Sequence, residues 1–217
     1  MERLTPLRPV RIVPMEHGAS DAELVSRCVA GDPAAQRRLF DREYPRVHAT
    51  LYRILGSNHA IDDVLQETFL SVFRALAQFR GEASLATWID RCAVHAAFAH
   101  LRSGRGRRHL ELLPESLASG APSAERRVLA REAARRLYAT LEKLEPKQRL
   151  AFALHAIDGR PLQEVAKLMD ASLVATKARV WRARRYVEKR AKVDPFLAEL
   201  LEPETEGSDV AGEEEAR

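Results

Sequence analysis

The chain has 217 residues, 46% hydrophobic and 30% charged, with a formal net charge of +4 and a pI near 9.3. That length buries one or two modest cores and is too short for a large enzyme, and its two cysteines, Cys28 and Cys92, lie far apart in apolar surroundings, which excludes a disulfide framework or a zinc cluster. No apolar run approaches the roughly 18 residues a membrane span requires, and the N-terminus lacks the apolar segment of a signal peptide, so the chain reads as a soluble protein of the reducing cytoplasm.

Residues 1–20, MERLTPLRPVRIVPMEHGAS, hold three prolines and no sustained period and read as a mobile extension. From 21 to 104 the pattern predicts a first helical domain. Asp21 is placed to cap a short helix ended by Gly31, and Pro33 opens a second helix running to about Leu55, with Gly-Ser-Asn as its stop. A third, over about 60–79, sets Ile61, Leu65, Thr68, Phe69, Val72 and Leu76 on one apolar stripe. Ser84 caps a fourth, LATWIDRCAVHAAFAHLR, with Leu85, Ile89, Cys92, Ala96 and Ala99 as its expected buried stripe.

Across residues 105–123 the period disappears while Gly, Pro and Ser accumulate, the composition of a flexible linker. A second domain, 124–192, follows, with helices at about 124–144, 146–157, 161–169 and 172–191 and with Pro146 and Pro161 at first-turn positions. No strand pattern or internal repeat occurs, so the predicted fold is all-α, two small helical domains joined by the linker. Charge is divided unevenly: residues 125–192 carry 18 Lys and Arg against 8 Asp and Glu, whereas 193–217 carry 1 against 9. A basic domain is thus followed by what reads as an acidic, disordered tail.

Only Asp-Ala-Ser separates the last two helices, and small Ala166 sits in the first of them, the compact spacing of a helix-turn-helix. On the final helix Leu173, Thr176, Val180, Ala183, Val187 and Ala191 share the packed side, and Trp181 on its flank is expected to pack. Arg182, Arg185 and Lys189 lie opposite, with Arg179 beside them and Ala175 and Ala178 in the N-terminal half. Small side chains at that end let a helix sink into the major groove, where arginines reach phosphates or a guanine edge. The bland alternative is a solvated basic face, against which the turn spacing and the local charge both weigh.

Two stretches carry a family resemblance. DDVLQETFLSVFRALAQFRGEASLATWIDRCAVH resembles region 2 of the extracytoplasmic function (group IV) sigma factors of the sigma-70 family, and LEPKQRLAFALHAIDGRPLQEVAKLMDASLVATKARVWRARR resembles their region 4. The likeness spans about residues 21–190. It implies a non-enzymatic subunit that binds core RNA polymerase, with region 2 on the β′ coiled coil and at the minus-ten element, and region 4 at the minus-thirty-five element and the β flap. The linker would thread the polymerase cleft, and an anti-sigma factor would mask both domains.

Carried onto these positions, the resemblance assigns polymerase binding to Asp62, Asp63, Gln66 and Glu67, which fall away from the apolar stripe of their helix. It assigns minus-ten DNA to Arg80, Ser84, Trp88, Arg91, His95 and Arg102, where an aromatic and cations could hold single-stranded bases. Trp88 also adjoins the buried stripe, which gives it an alternative role in the core. The minus-thirty-five set is Ser172, Ala175, Lys177, Ala178, Arg179, Arg182 and Arg185.

The chain departs from the family in two places. His95, in RCAVH, replaces an expected amide, and Val174, Ala175 and Thr176 replace a frequent Gly-Thr-Val, so base preference cannot be copied from relatives. A helix-turn-helix regulator acting without polymerase would need no acidic Asp62–Glu67 cluster. A small nucleic-acid enzyme would need a catalytic constellation, and neither His95 nor any carboxylate has a partner at the required spacing, so no metal or cofactor is expected.

Overall fold

The computed structural model describes residues 19–56, 60–104 and 124–201, and among them every regular element is a helix. The first unit comprises α1 (Ala19–Val29), α2 (Pro33–Leu55), α3 (Ile61–Ala75) and α4 (Leu85–Ser103). Asp32 caps α2, its Oδ1 accepting from the N–H groups of Ala34 and Ala35 at 2.9 and 3.2 Å, while Pro33 occupies the turn where its missing N–H is harmless. Asp21 does not cap α1 as the sequence suggests. The helix starts at Ala19, and Asp21 is buried in its first turn, 2.7 Å from the Arg42 guanidinium of α2.

All six residues of the expected α3 stripe are buried, joined by Val64, and the helix tightens into a 3-10 turn over Leu76–Gln78. On α4 the Ser84 cap forms, its Oγ accepting from the Thr87 N–H at 3.1 Å. The buried side, however, is Leu85, Ile89, Asp90, Ala93, Val94 and Ala97, whereas Cys92 and Ala96 are half-buried and Ala99 is exposed. Hydropathy misplaced this stripe because Asp90 counts as polar. Its carboxylate is buried between Arg46 of α2 and Arg160 of the second unit, at 2.8 Å from the latter.

The second unit comprises α5 (Ala124–Leu141), α6 (Pro146–Phe152), α7 (Leu162–Leu168), α8 (Leu173–Ala191) and α9 (Pro195–Leu201). Pro146 opens α6 as expected, but Pro161 precedes α7 as its N-cap and takes no first-turn position. From Ala153 to Ile157 the backbone widens into a π turn, in which the Asp158 N–H donates to the carbonyl of Ala153 at 2.8 Å. α9 corrects the reading of 193–217 as disordered throughout. Asp194 accepts from the Phe196 N–H at 3.2 Å, Arg136 lies 4.8 Å over the Phe196 ring, and Leu197 is buried where α9 meets α5 and α8. Apart from Ala19 and Ser20, the expected N-terminal extension lies outside the described residues, as do the linker at 105–123 and the tail from 202 onward.

The two units share a core. Leu150, Ala151, Ala153, Leu154, Val165, Leu168 and Val180 pack in one cluster with the buried side chains of α1 to α4, while Tyr138, Leu141, Phe152, Ala183 and Val187 form a second cluster. One polar part of the seam is at the C-terminal end of α2, whose last carbonyls have no partner within the helix. Tyr138 donates its hydroxyl to the carbonyl of Arg53 at 2.8 Å, and Arg149 donates to that of Leu55 at 2.7 Å. A buried cation at a helix C-terminus faces the negative end of the helix dipole. Gly56 closes α2 with φ +72°, and a Cβ there would lie 2.1 Å from the Tyr138 ring, so glycine is required twice over. Among the described residues no helix is long and apolar enough to cross a membrane.

Candidate functional site

Three surfaces gather the residues singled out by sequence. On α3, Asp62, Asp63, Gln66 and Glu67 are all exposed, opposite the buried Ile61, Val64, Leu65 and Thr68. Helical steps of three and four residues bring Gln66 and Glu67 beside Leu70, which remains 45% exposed. Sequence reasoning missed Leu70 because it lies off the apolar stripe. An exposed leucine beside the carboxylate of Glu67, with Asp62 and Asp63 farther along the same helix, suits a basic, partly apolar protein surface better than DNA, whose phosphates the carboxylates would repel.

The second surface runs along α4. Ser84, Trp88, Arg91, His95 and Arg102 follow one another at steps of 4, 3, 4 and 7 residues and therefore share one face of the helix. Arg80 is exposed in the preceding loop, which Gly81 turns at φ +72°. Trp88 is half-buried, packed on the core and 5.6 Å from the Phe79 ring, so it serves the core and borders the face at once. The Arg102 guanidinium lies 6.0 Å over the Phe98 ring. Arg91 and His95 meet a carboxylate from the other unit: Asp170 pairs with the Arg91 guanidinium and stands 3.0 Å from His95 Nε2.

The third surface is the helix-turn-helix of α7 and α8. Asp170 turns the chain between them at φ +47°, a value that aspartate tolerates better than most residues. Ser172 caps α8, its Oγ accepting from the Ala175 N–H at 3.2 Å. Thr176, Val180, Ala183, Val187 and Ala191 are buried as expected, and Leu173 is half-buried. Lys177, Arg182 and Arg185 are exposed, while Ala175, Ala178 and Arg179 are half-buried. Trp181 corrects an expectation: it is 63% exposed, with the Arg185 guanidinium 5.8 Å from its ring, and Val174 beside the cap is 78% exposed. Its position on the wheel flank was right, but among the described residues no element covers that flank.

Buried ionic groups hold these surfaces in relation. Arg160 binds Asp158 at 2.6 Å, Glu164 at 2.5 Å and Asp90 at 2.8 Å, and donates to Thr50 Oγ1 at 3.2 Å. Burial disfavours its charge, yet Asp90 and Asp158 outweigh that and hold its guanidinium above the ordinary value. Burial pulls Arg149 below its ordinary value, and the charge of Glu142 opposes that only in part. Burial pushes the Tyr138 hydroxyl up and that of Tyr52 up to about 12. On the exposed side of α5, hydrogen bonds from Arg135 and then Arg136 hold Glu132 down to about 2. No group of His, Cys, Asp or Glu among the described residues is arranged to hold a metal ion.

Comparison with known proteins gives a consistent picture. The sequence matches Sigma-70 region 2 over residues 39–108 and Sigma-70 region 4 over residues 134–187. It is similar to the ECF RNA polymerase sigma-E factor of Escherichia coli K12, at 31% identity over 84% of this chain and 99% of that protein. The ECF RNA polymerase sigma-E factor of Haemophilus influenzae is 29% identical over 84% of this chain and all of its own length. Among solved structures, CnrH in complex with the cytosolic domain of CnrY matches with a TM-score of 0.55 at 24% identity, over 81% of this chain and 99% of that one. The sigma factor RpoE in complex with the anti-sigma factor NepR, from Bartonella quintana, matches with a TM-score of 0.52 at 18% identity, over 73% and 97%. These two likenesses concern the fold.

Proposed function

The chain belongs to the ECF RNA polymerase sigma factors, DNA-binding factors that direct transcription initiation, and from that premise we propose how its three surfaces divide the work. The acidic face of α3, with Asp62, Asp63, Gln66 and Glu67 around Leu70, docks on the β′ coiled coil of core polymerase. The α4 face, with Arg80, Ser84, Trp88, Arg91, His95 and Arg102, holds the opened minus-ten strand. The exposed side of α8, with Lys177, Arg182 and Arg185 and with Ala175, Ala178 and Arg179 beside them, enters the minus-thirty-five major groove, and Ser172 fixes the start of that helix.

The observation that carries this division is the separation of charge. Carboxylates line the face assigned to protein, whereas the two faces assigned to DNA carry arginines, lysine and histidine. Phosphate contacts supply most of the affinity for nucleic acid and demand this distribution. The half-buried Trp88 at the edge of the α4 face offers a flat surface on which an unpaired base can stack, worth about 1–3 kcal/mol.

The same reading makes the protein a specificity subunit with no chemistry of its own, acting in the cytoplasm where core polymerase is found. It also gives the chain an anti-sigma factor as a regulatory partner, by likeness to the complex of RpoE with the anti-sigma factor NepR above. Reconstitution with core polymerase tests the whole: added to core enzyme on genomic DNA fragments, the protein should produce new transcripts with discrete start points. Absence of any new transcript, or of a complex with core polymerase, would overturn the reading.

A further inference from the structure

Two apolar side chains stand bare on the helix just assigned to the minus-thirty-five groove. Val174 is 78% exposed and Trp181 63%, the former more than any other bulky hydrophobic among the described residues. At about 100° per residue, Val174, Ala178, Trp181 and Arg185 fall within about 60° of one another, on the side of α8 opposite the buried Thr176, Val180, Ala183 and Val187. Neither Val174 nor Trp181 belongs to an apolar cluster of the described residues, so neither serves the core. Valine is also a weaker helix former than alanine, and at this exposed position the fold gains nothing in return.

The spacing shapes that bare side. Ala178, four residues after Val174 and three before Trp181, carries only a methyl group, so the two larger side chains, about 10 Å apart along the axis, bound a shallow notch with an alanine floor. Both walls are held. The Ser172 cap fixes the backbone two residues before Val174, whose β-branched side chain keeps essentially one rotamer in a helix, and the Arg185 guanidinium lies 5.8 Å from the Trp181 ring. The surrounding charge indicates what fills the notch. From Leu173 to Val187 the helix carries Lys177, Arg179, Arg182, Arg184 and Arg185 and no carboxylate, which suits a polyanion. A recognition helix brings its N-terminal residues to the base edges, and the one apolar group that projects from those edges into the major groove is the C5-methyl of thymine.

We propose that the notch takes the C5-methyl of a thymine within the minus-thirty-five element, with Val174 and Trp181 as its two walls. These two residues select a base, whereas the cations beside them supply affinity and orientation. Stiff walls lose little freedom when the methyl enters, so the contact favours thymine at small entropic cost. Val174 lies in the stretch where this chain departs from the family pattern, which makes the preference this chain's own. The inference rests on the placement of α8 in the minus-thirty-five major groove.

The test uses the full-length chain assembled with core polymerase and a fluorescein-labelled duplex carrying the minus-thirty-five element of a promoter mapped by run-off transcription. Replacing its thymines one at a time with deoxyuridine deletes single methyl groups and leaves base pairing intact. Measured by fluorescence anisotropy, one such replacement should weaken binding about three- to fivefold, the size expected for one buried methyl group. Val174→Ala and Trp181→Ala should each bind the thymine duplex less tightly and lose most of the deoxyuridine penalty at that position. Both residues are exposed, so the variants should keep the Tm of the natural chain. An element without thymine, a series in which no deoxyuridine matters, or a penalty that persists in both variants overturns the inference. So does loss of the complex with core polymerase in either variant, which would make the stripe a protein contact. Arg182→Ala keeps the two levels apart: if it binds the unmodified duplex as the natural chain does, the placement of α8 in the groove has failed. If it weakens binding while deoxyuridine has no effect, only the thymine contact has failed.

Discussion

Arg149 of α6 donates a hydrogen bond of 2.7 Å to the carbonyl of Leu55, the last residue of α2, so a side chain of one helical unit terminates a helix of the other. Arg149→Met keeps much of the aliphatic volume and removes the donor. Loss of a buried, charge-assisted hydrogen bond costs about 1.5–3 kcal/mol, and each kcal/mol lowers Tm by about 2–4 °C in a chain of this size. Thermal denaturation followed by circular dichroism should show that drop, and an unchanged Tm would mean that water replaces the guanidinium without loss.

Replacing Asp63 and Glu67 together with Lys should abolish co-purification with core polymerase while leaving the helical spectrum intact. Both side chains are exposed and one turn apart on α3, so the reversal alters the docking face and not the core. Leu70→Ala should weaken the same complex without any change of charge. Retained binding in both variants would move polymerase docking to another face.

On α8, Arg182→Ala should weaken binding of duplex minus-thirty-five DNA by about 1–3 kcal/mol if the guanidinium grips a guanine, and should relax selection at that base pair. Arg179→Ala should have a smaller effect, because that residue is half-buried where Arg182 is exposed. Competition binding against base-substituted duplexes distinguishes this from a phosphate contact, which would weaken all sequences alike.

Leu197→Ala should destabilise the second unit by about 2–5 kcal/mol, the usual result of emptying a buried leucine site. Truncation after residue 192 should do the same, whereas truncation after residue 201 should leave thermal stability unchanged. Equal stability of all three chains would show that α9 adds nothing to the core it covers.

The tyrosines give a pH dependence with a definite sign. The Tyr52 hydroxyl, raised by burial from 10.0 to about 12 in the folded state, ionises first in the unfolded chain. Stability is therefore fully present below pH 10 and falls as pH rises from 10 through about 12. Denaturant midpoints measured across that range should decline, and should decline less in Tyr52→Phe. An identical pH profile for the two proteins would refute the assignment.

Most of the first unit was legible from the order of its residues. The α3 stripe, the cap at Ser84 and, in the second unit, the packed side of α8 each follow from a local pattern, a period or a single hydroxyl before a helix. The misses at α4 and α9 share one physical origin, contacts between segments far apart in the chain. The α4 stripe was misplaced because Asp90 is buried only by virtue of Arg46 and Arg160, and no window of sequence joins those three. α9 escaped notice because Phe196 and Leu197 make too short an apolar run to show a period, and they are held by α5 and α8. Trp181 erred in the other direction, since an aromatic on a helix flank packs only if another element arrives there.

The π turn at Ala153–Ile157 carries a consequence for mutation by insertion and deletion. A helix that spends one additional residue on a single coil changes phase by about 100° for everything downstream. Removing one residue from that coil would restore ordinary pitch while swinging Asp158 off Arg53 and carrying Arg160 away from Asp90, so that both bridges would fail from one codon's loss. Length, as much as composition, is what this short segment has to conserve.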